Sequence, residues 1–159
     1  MMKFLKILII ISLTSCGFSP LNNSDIKIKN VSVSFSDNPL NNFFYSELKR
    51  NRNLLKFNFT TLKEADLKIE IINHRIGKFL GASDQNFFSA IGNLDYELEI
   101  KITELESNSS EIFRLFTSEN YAYDTNSILS NEKKIDEIKE TFFMEAISQL
   151  SYFLTSKDL

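Results

Sequence analysis

The sequence predicts an α+β fold, a two-layer sandwich with about four strands in a mixed or antiparallel sheet and two helices packed on one face of it. Residues 94–104 alternate apolar and polar side chains without a break, which is typical of a strand with one buried and one exposed face. Residues 130–154 repeat apolar side chains at helical spacing, which is typical of an amphipathic helix. A second helical pattern precedes the strands, and helices at both ends of a run of strands favour two layers.

The first elements of the domain are a strand and a helix. Residues 26–35 alternate apolar and polar side chains and predict the first strand. The alternation slips by one position at Asn30, where we predict a β-bulge. After a Pro-containing break, residues 41–53 place apolar side chains on one helical face and predict the first helix, with Asn41 or Asn42 as its N-cap.

Further strands follow along the chain. Residues 54–59 are consistent with either a short strand or an ordered loop, whereas residues 65–76 alternate clearly and predict a strand. We predict that a loop over residues 77–93 comes next, before the alternating strand described above. Residues 112–123 predict a return strand, and the short polar turn at residues 107–110 makes an antiparallel hairpin the simplest arrangement.

The first fifteen residues combine a basic head with Lys3 and Lys6, a short apolar core and a small-residue exit, which are the three parts of a secretory signal peptide. The apolar core is far shorter than the roughly 20 residues of a membrane-spanning helix. Residues 13–16, Leu-Thr-Ser-Cys, resemble the bacterial lipobox, in which the signal is cleaved before a cysteine whose thiol receives a diacylglyceryl group. We therefore predict cleavage between Ser15 and Cys16 and lipidation of Cys16. The alternative is that Cys16 is a small buried apolar residue.

The rest of the chain is predicted to be one domain behind a short tether. Residues 1–15 form the predicted signal, residues 16–25 the lipidated N-terminus and a linker, and residues 26–159 a single domain. Gly17 follows the cysteine, at a position where lipoproteins kept in the inner membrane often carry Asp. This difference favours export to the outer membrane.

Composition and motifs argue against several functions. The chain has 18 Lys and Arg against 21 Asp and Glu, and its net charge of -3 gives no reason to expect nucleic-acid binding. One Cys and one His are too few for a typical metal site, and the chain has no Gly-rich phosphate loop or nucleophile elbow. We predict no metal, cofactor or catalytic residue, and we interpret His74 as an ordinary surface or strand-end residue. A Ser-His-Asp triad around His74, as in a hydrolase, is the alternative.

Two groups of residues are candidates for binding. Arg75, Lys78 and Arg114 carry the charge and the donors that bind phosphate groups, although solvated strand ends would carry the same residues. Phe87 and Phe88 lie in the predicted loop, and exposed aromatic residues often mark partner surfaces. The alternative is that one of these phenylalanines begins the next strand and packs on the sheet.

Three stretches of the chain together resemble one known family. Residues 16–21 are Cys-Gly-Phe-Ser-Pro-Leu, residues 65–69 are Ala-Asp-Leu-Lys-Ile, and residues 121–154 end in an amphipathic helix. They are similar to the CGFxPL start, a strand opening and the C-terminal part of the lipopolysaccharide-assembly lipoprotein family, LptE. The resemblance covers nearly the whole mature chain, and the order of the predicted elements agrees with it.

The resemblance implies a binding module and no enzyme. Family members fill the lumen of a large outer-membrane β-barrel translocon as a plug, help that barrel to assemble, and assist the insertion of lipopolysaccharide into the outer leaflet. It implies a lipid-anchored outer-membrane protein that faces the periplasm and the barrel lumen, with the barrel and lipopolysaccharide as partners. Arg75, Lys78 and Arg114 are then candidate lipopolysaccharide-binding residues, and Phe87 and Phe88 are candidate contacts with the barrel. An auxiliary lipoprotein of another envelope transport system is the alternative.

A Cys16→Ala variant should lose the incorporation of labelled palmitate, because the thiol that carries the lipid is removed. Growth of cells with labelled palmitate, followed by isolation of the protein, measures this incorporation against the parent chain. A variant that is labelled as strongly as the parent would show that the lipobox interpretation is wrong.

Overall fold

The computed structural model describes residues 28–81, 91–124 and 126–157. The predicted signal and linker, Ser15, Cys16, Phe87 and Phe88 lie outside the described residues. The elements are, in chain order, β1 (Lys29–Ser34), α1 (Pro39–Arg50), α2 (Arg52–Leu55), β2 (Phe57–Phe59), β3 (Leu67–Leu80), β4 (Ile91–Glu104), β5 (Ser109–Ala122) and α3 (Ile128–Ser156).

Five strands form one sheet in the order β2-β1-β3-β4-β5. β1 runs parallel to both β2 and β3, whereas β3, β4 and β5 are antiparallel neighbours. The predicted α+β class is confirmed. The sheet has five strands where about four were predicted, and a third helix is present, because residues 54–59 fall partly into α2 and partly into the edge strand β2.

The first strand does not contain the predicted bulge. Asn30 pairs with Asn58 and Val31 pairs with Phe59, so the register is continuous at that point. The slip in the sequence pattern has a simpler cause, because β1 begins only at Lys29. Ile28 precedes the strand and is 63% exposed, so it does not belong to the same alternation.

The first helix begins before the predicted Asn cap. The side-chain oxygen of Asn38 accepts a hydrogen bond of 2.8 Å from the backbone N–H of Asn41, and Pro39 is the first helical residue. A proline is well suited to this position, because its φ angle is already helical and the missing N–H has no partner there in any helix. Asn41 and Asn42 therefore lie inside the first turn, and the cap prediction was wrong by three or four residues.

β3 and β4 pair well beyond the predicted strand ends. Leu80 lies opposite Gly92, so residues 77–80 and 91–93 of the predicted 77–93 loop belong to the sheet, while residues 82–90 lie outside the described residues. Backbone pairing continues there although the apolar alternation of β3 has stopped. A bulge does occur in β3, because Ile71 pairs with Ile100 and Asn73 pairs with Glu99, which leaves one extra residue between them.

The core lies between one face of the sheet and the helices. The inward side chains of β4 are at most 1% exposed; they are Leu94, Tyr96, Leu98, Ile100 and Ile102. The amphipathic face of α3 covers them, and the ring of Phe142 stacks on the ring of Tyr96 with a centroid distance of 5.5 Å. Burial of each such large apolar side chain contributes about 1.5–3 kcal/mol, so this strand and this helix supply much of the stability of the fold.

Gly92 allows a ring to lie flat on the sheet. It pairs with Tyr121, and the Tyr121 ring covers the position where a side chain would start. A Cβ atom at Gly92 would lie 2.2 Å from Tyr121 Cζ. Tyr121 is only 3% exposed, so its ring has little room to move aside.

A Gly92→Ala variant should unfold at lower urea concentration, with a loss of about 1–3 kcal/mol, because the new methyl group displaces the Tyr121 ring. Gly81→Ala is the matched control, since a Cβ atom there meets its nearest neighbour, the carbonyl oxygen of Ile91, only at 3.3 Å. We expect the control to lose much less stability. Equal losses in the two variants would contradict this explanation.

Candidate functional site

The face of the sheet opposite the core is polar, and we call it the open face. Its centre is formed by Asp95, Glu97, Glu99 and Lys101, which alternate with the buried side chains of β4. The neighbouring strands continue the pattern, so that Asn73 and Arg114 flank Glu99 while Arg75 and Phe116 flank Glu97. Acidic and basic side chains therefore lie side by side across three strands.

Two of the three candidate phosphate-binding residues lie on this open face as ion pairs. Arg75 donates to Glu97, which also accepts a hydrogen bond from Asn73, and these contacts hold the pKa of Glu97 below its usual value, with the Arg75 bond as the largest cause. The guanidinium of Arg114 donates two hydrogen bonds to Glu99 Oε1, at 2.9 and 3.1 Å. Each arginine is thus already neutralised by a neighbour on β4.

The third candidate, Lys78, lies on the other face of the sheet. It borders a groove of about 870 Å³ between α1, the first half of α3 and the far end of β3 and β4. The groove has apolar side chains and a charged rim; the lining residues are Pro39, Leu40, Phe43, Ile76, Lys78, Leu94, Glu132, Ile135, Asp136, Lys139, Glu140 and Phe143. The sheet separates Lys78 from the two arginines, so the three predicted residues do not form one site.

His74 is half-buried on the core face of the sheet and is not the surface residue that we predicted. One ring nitrogen, Nδ1, is 2.8 Å from Asn41 Oδ1, and the other, Nε2, is 3.1 Å from the hydroxyl of Tyr96. The rings of Phe44 and Phe143 contact the imidazole from α1 and α3. Both nitrogens are engaged by an amide and a phenol, so the arrangement is not a Ser-His-Asp triad.

The hydrogen bonds around His74 define its tautomer. Asn41 Nδ2 donates to the carbonyl of Ser36 at 2.8 Å, so Asn41 Oδ1 is the acceptor and His74 Nδ1 carries the proton. His74 Nε2 then accepts from the Tyr96 hydroxyl. Burial lowers the pKa of His74 from 6.5 to about 4 and raises the pKa of Tyr96. The neutral cluster joins α1 to the two central strands.

The sequence held one signal for this cluster. Apolar residues alternate with polar ones from Leu67 to Ile71, but Ile72 is also apolar. Two adjacent apolar residues in an otherwise alternating strand are typical of a β-bulge. A bulge at Ile72 moves the next even-numbered residue, His74, to the core face. We predicted a bulge only in the first strand, at Asn30, and so the consequence of a bulge at Ile72 for His74 was missed.

Two further features concern only the described part of the chain. Within residues 28–81, 91–124 and 126–157, no three His, Cys, Asp or Glu side chains are placed to hold a metal ion together. None of the helices in these ranges is both long enough and apolar enough to cross a membrane.

Comparisons with known proteins show the fold. No protein-family model matches the sequence, and no curated protein matches it. Among solved structures, the rare lipoprotein B from Shewanella oneidensis is 16% identical, with 81% of this chain and 96% of that chain covered and a TM-score of 0.62. The minor lipoprotein from Acinetobacter baumannii is 12% identical, with 83% and 94% covered and a TM-score of 0.65.

A third structure has the same architecture. The uncharacterized lipoprotein B from Nitrosomonas europaea is 12% identical, with 80% of this chain and 85% of that chain covered and a TM-score of 0.57. Identities this low show a common fold and no more. The described domain therefore has the fold of three bacterial lipoproteins, over nearly the full length of each.

The stability of the protein should fall between pH 6.5 and pH 4 because of His74. His74 binds a proton near pH 6.5 in the unfolded chain but only near pH 4 in the folded chain. The contribution of neutral His74 to the free energy of unfolding is therefore complete above pH 6.5 and is lost as the pH falls to about 4. The loss is at most about 3 kcal/mol. Urea unfolding at several pH values measures it.

His74→Gln should lower stability at pH 7 but remove this part of the pH dependence. Glu97→Gln is the control, because it removes a titrating group on the open face and leaves His74 unchanged. If the parent and His74→Gln lose the same stability between pH 6.5 and pH 4, the assignment to His74 is wrong.

Proposed function

We propose that this protein is a lipid-anchored envelope lipoprotein that fills the lumen of an outer-membrane β-barrel lipopolysaccharide translocon, supports the assembly of that barrel, and assists lipopolysaccharide insertion. The main support is the fold shared with three lipoproteins, taken together with the lipobox-like residues 13–16. The two observations are independent, because the lipobox precedes the folded domain. We choose the translocon among envelope functions because residues 16–21 resemble the CGFxPL start of the family.

The open face supports a role inside a polar lumen. Arg75 pairs with Glu97 and Arg114 pairs with Glu99, so these four side chains need no counter-charges from a partner. The interior of a large outer-membrane barrel is polar. The open face can enter it without leaving these four charges buried and unpaired, because they are already paired with one another.

The length of the domain also fits this role. β3, β4 and β5 each contain 14 residues, so each spans about 45 Å. The hydrocarbon core of a bilayer is about 30 Å thick. A body of this length would extend through a barrel lumen and leave its ends at the two membrane surfaces.

Lys78 is the best placed of the three candidates for lipopolysaccharide contact. In the described residues it makes no ion pair within 4 Å, whereas both arginines do. It also borders apolar side chains of Phe43 and Ile76 in the groove, so one ligand could meet a cation and an apolar surface together. A phosphate at Arg75 or Arg114 would instead share the guanidinium with a glutamate of β4.

Isolation of the tagged full-length protein from native membranes in mild detergent should bring down a large β-barrel protein. Mass spectrometry identifies the partner, and a change in its gel mobility on heating shows that it is a folded barrel. A Cys16→Ala variant is the control, and we expect it to recover less of the barrel. Recovery of the protein alone, or with an inner-membrane transporter, would contradict the proposal and favour an auxiliary lipoprotein of another transport system.

A further inference from the structure

The outer edge of β5 is long and unpaired within the described structure. β5 pairs only with β4 and ends the sheet, and it has 14 residues, whereas the strand at the opposite edge, β2, has three. About every second residue of such an edge directs its N–H and C=O groups away from the sheet. Only another extended backbone offers the alternating donors and acceptors that match this row.

β5 lacks two of the devices that protect natural edge strands, a proline and a bulge. It contains no proline, and its register with β4 is continuous from Ser109 to Ala122, so it has no bulge. Two charged side chains lie on its core-facing side, Glu111 opposite Ile102 and Glu119 opposite Leu94. The accessible part of the edge is therefore the stretch between these two glutamates.

Side chains of α3 line a groove beside the edge strand β5. Ser148, Tyr152 and Ser156 follow one another at intervals of four residues on α3, and with Ile112 and Phe113 they line a groove of about 700 Å³ beside β5. Tyr152 is 78% exposed. A sixth strand, placed about 4.8 Å beyond β5, would lie beneath this row and continue the two-layer arrangement.

The side chains of β5 on the open face indicate which residues an added strand would place beside them. Ile112 and Phe116 are 39% and 64% exposed and lie on either side of Arg114. The Arg114 side chain is 70% exposed although it contacts Glu99, so its guanidinium has donors left for a second carboxylate. Apolar and oppositely charged cross-strand pairs stabilise adjacent strands. The complementary strand has an acidic residue opposite Arg114 and apolar residues two positions away on each side.

We propose that the edge of β5 binds an extended segment of a partner protein as a sixth strand, with an acidic residue opposite Arg114 and apolar residues opposite Ile112 and Phe116. A closed barrel wall has no free edge, so the segment comes from outside such a wall. The proposal therefore does not depend on the barrel partner proposed above.

A second copy of this chain fits the edge less well. Antiparallel pairing of two β5 strands about Leu115 places Glu111 opposite Glu119, which are like charges. Pairing about Phe116 places Glu119 opposite the apolar Phe113. These are the two registers that align nearly the whole strand, and each opposes unmatched side chains.

Photo-crosslinking in intact cells tests the proposal with the full-length chain. Phe116 is replaced by p-benzoylphenylalanine, and Phe79 is the matched control, because it is 56% exposed on the same open face but lies on an interior strand. The crosslinked peptide is sequenced by mass spectrometry. We expect position 116 to capture one segment with alternating apolar residues and an acid in register with Arg114, and position 79 not to capture it.

Other outcomes of this experiment would overturn the proposal. These are no crosslinked protein at position 116, a crosslink to β5 of a second copy, a crosslink to residues 17–27 of this chain, and capture of the same segment from both positions. The last would mean that the partner covers the open face and not the edge. If the expected segment belongs to a protein other than a barrel, the edge proposal stands and the barrel proposal is tested separately by its own co-purification.

Charge reversal gives a second readout. Arg114→Glu should reduce crosslinking from position 116 about tenfold, because an attractive cross-strand pair becomes a repulsive one. Arg75→Glu is the matched control, since the Arg75 side chain is 69% exposed and also pairs with a glutamate of β4, but lies on an interior strand. We expect less than about a twofold change from it. Equal reductions in the two variants would overturn the proposal.

The stability of the variants is checked by thermal unfolding. If Arg114→Glu lowers the midpoint more than Arg75→Glu does, Arg114→Gln replaces it, and a reduction of about threefold is expected. Crosslinking by Arg114→Gln at the parent level would contradict the predicted acidic residue. Replacement of that acid by Lys in the captured segment should restore crosslinking to the Arg114→Glu variant.

Discussion

The burial of one face of β4 beneath α3 is the interaction on which the rest of the structure depends. β4 lies between two strands that pair with it along nearly their whole length, so its inward side chains occupy the middle of the core. Tyr96 illustrates this position, since its ring stacks on Phe142 while its hydroxyl contacts His74. Because side chains of a strand alternate, burial of one face of β4 leaves the other face to polar residues.

The bulge at Ile72 determines which residues of β3 belong to each face. A one-residue insertion reverses the orientation of all side chains that follow it. It therefore turns His74 into the core, Arg75 onto the open face and Lys78 toward the helices. The buried cluster, one ion pair and the cation beside the apolar groove all follow from this single irregularity.

The two edges of the sheet are formed by strands of very different length. β2 ends the sheet with three residues, whereas the outer edge of the 14-residue β5 pairs with no strand in the described part of the chain and lies beside a groove lined by α3. The open face is different in kind, because Arg75 and Arg114 are already paired with glutamates of β4. A partner on the open face would meet side chains, whereas a partner at the β5 edge would meet backbone N–H and C=O groups that no described strand pairs with.

The sequence by itself determined the α+β class, the central strand and the long final helix, because residues 94–104 and 130–154 repeat with periods that only a strand and a helix can bury on one side. It also carried the lipobox-like residues, which are read as a linear motif. Backbone pairing decided the length of β3 and the presence of the short strand β2, and a local side-chain hydrogen bond decided the cap at Asn38. Neither kind of interaction changes the hydrophobic periodicity of the sequence. Only the tertiary structure decided that Lys78 lies apart from Arg75 and Arg114 and that His74 is half-buried. The reason is that one extra residue in β3 sets the face on which each following side chain lies.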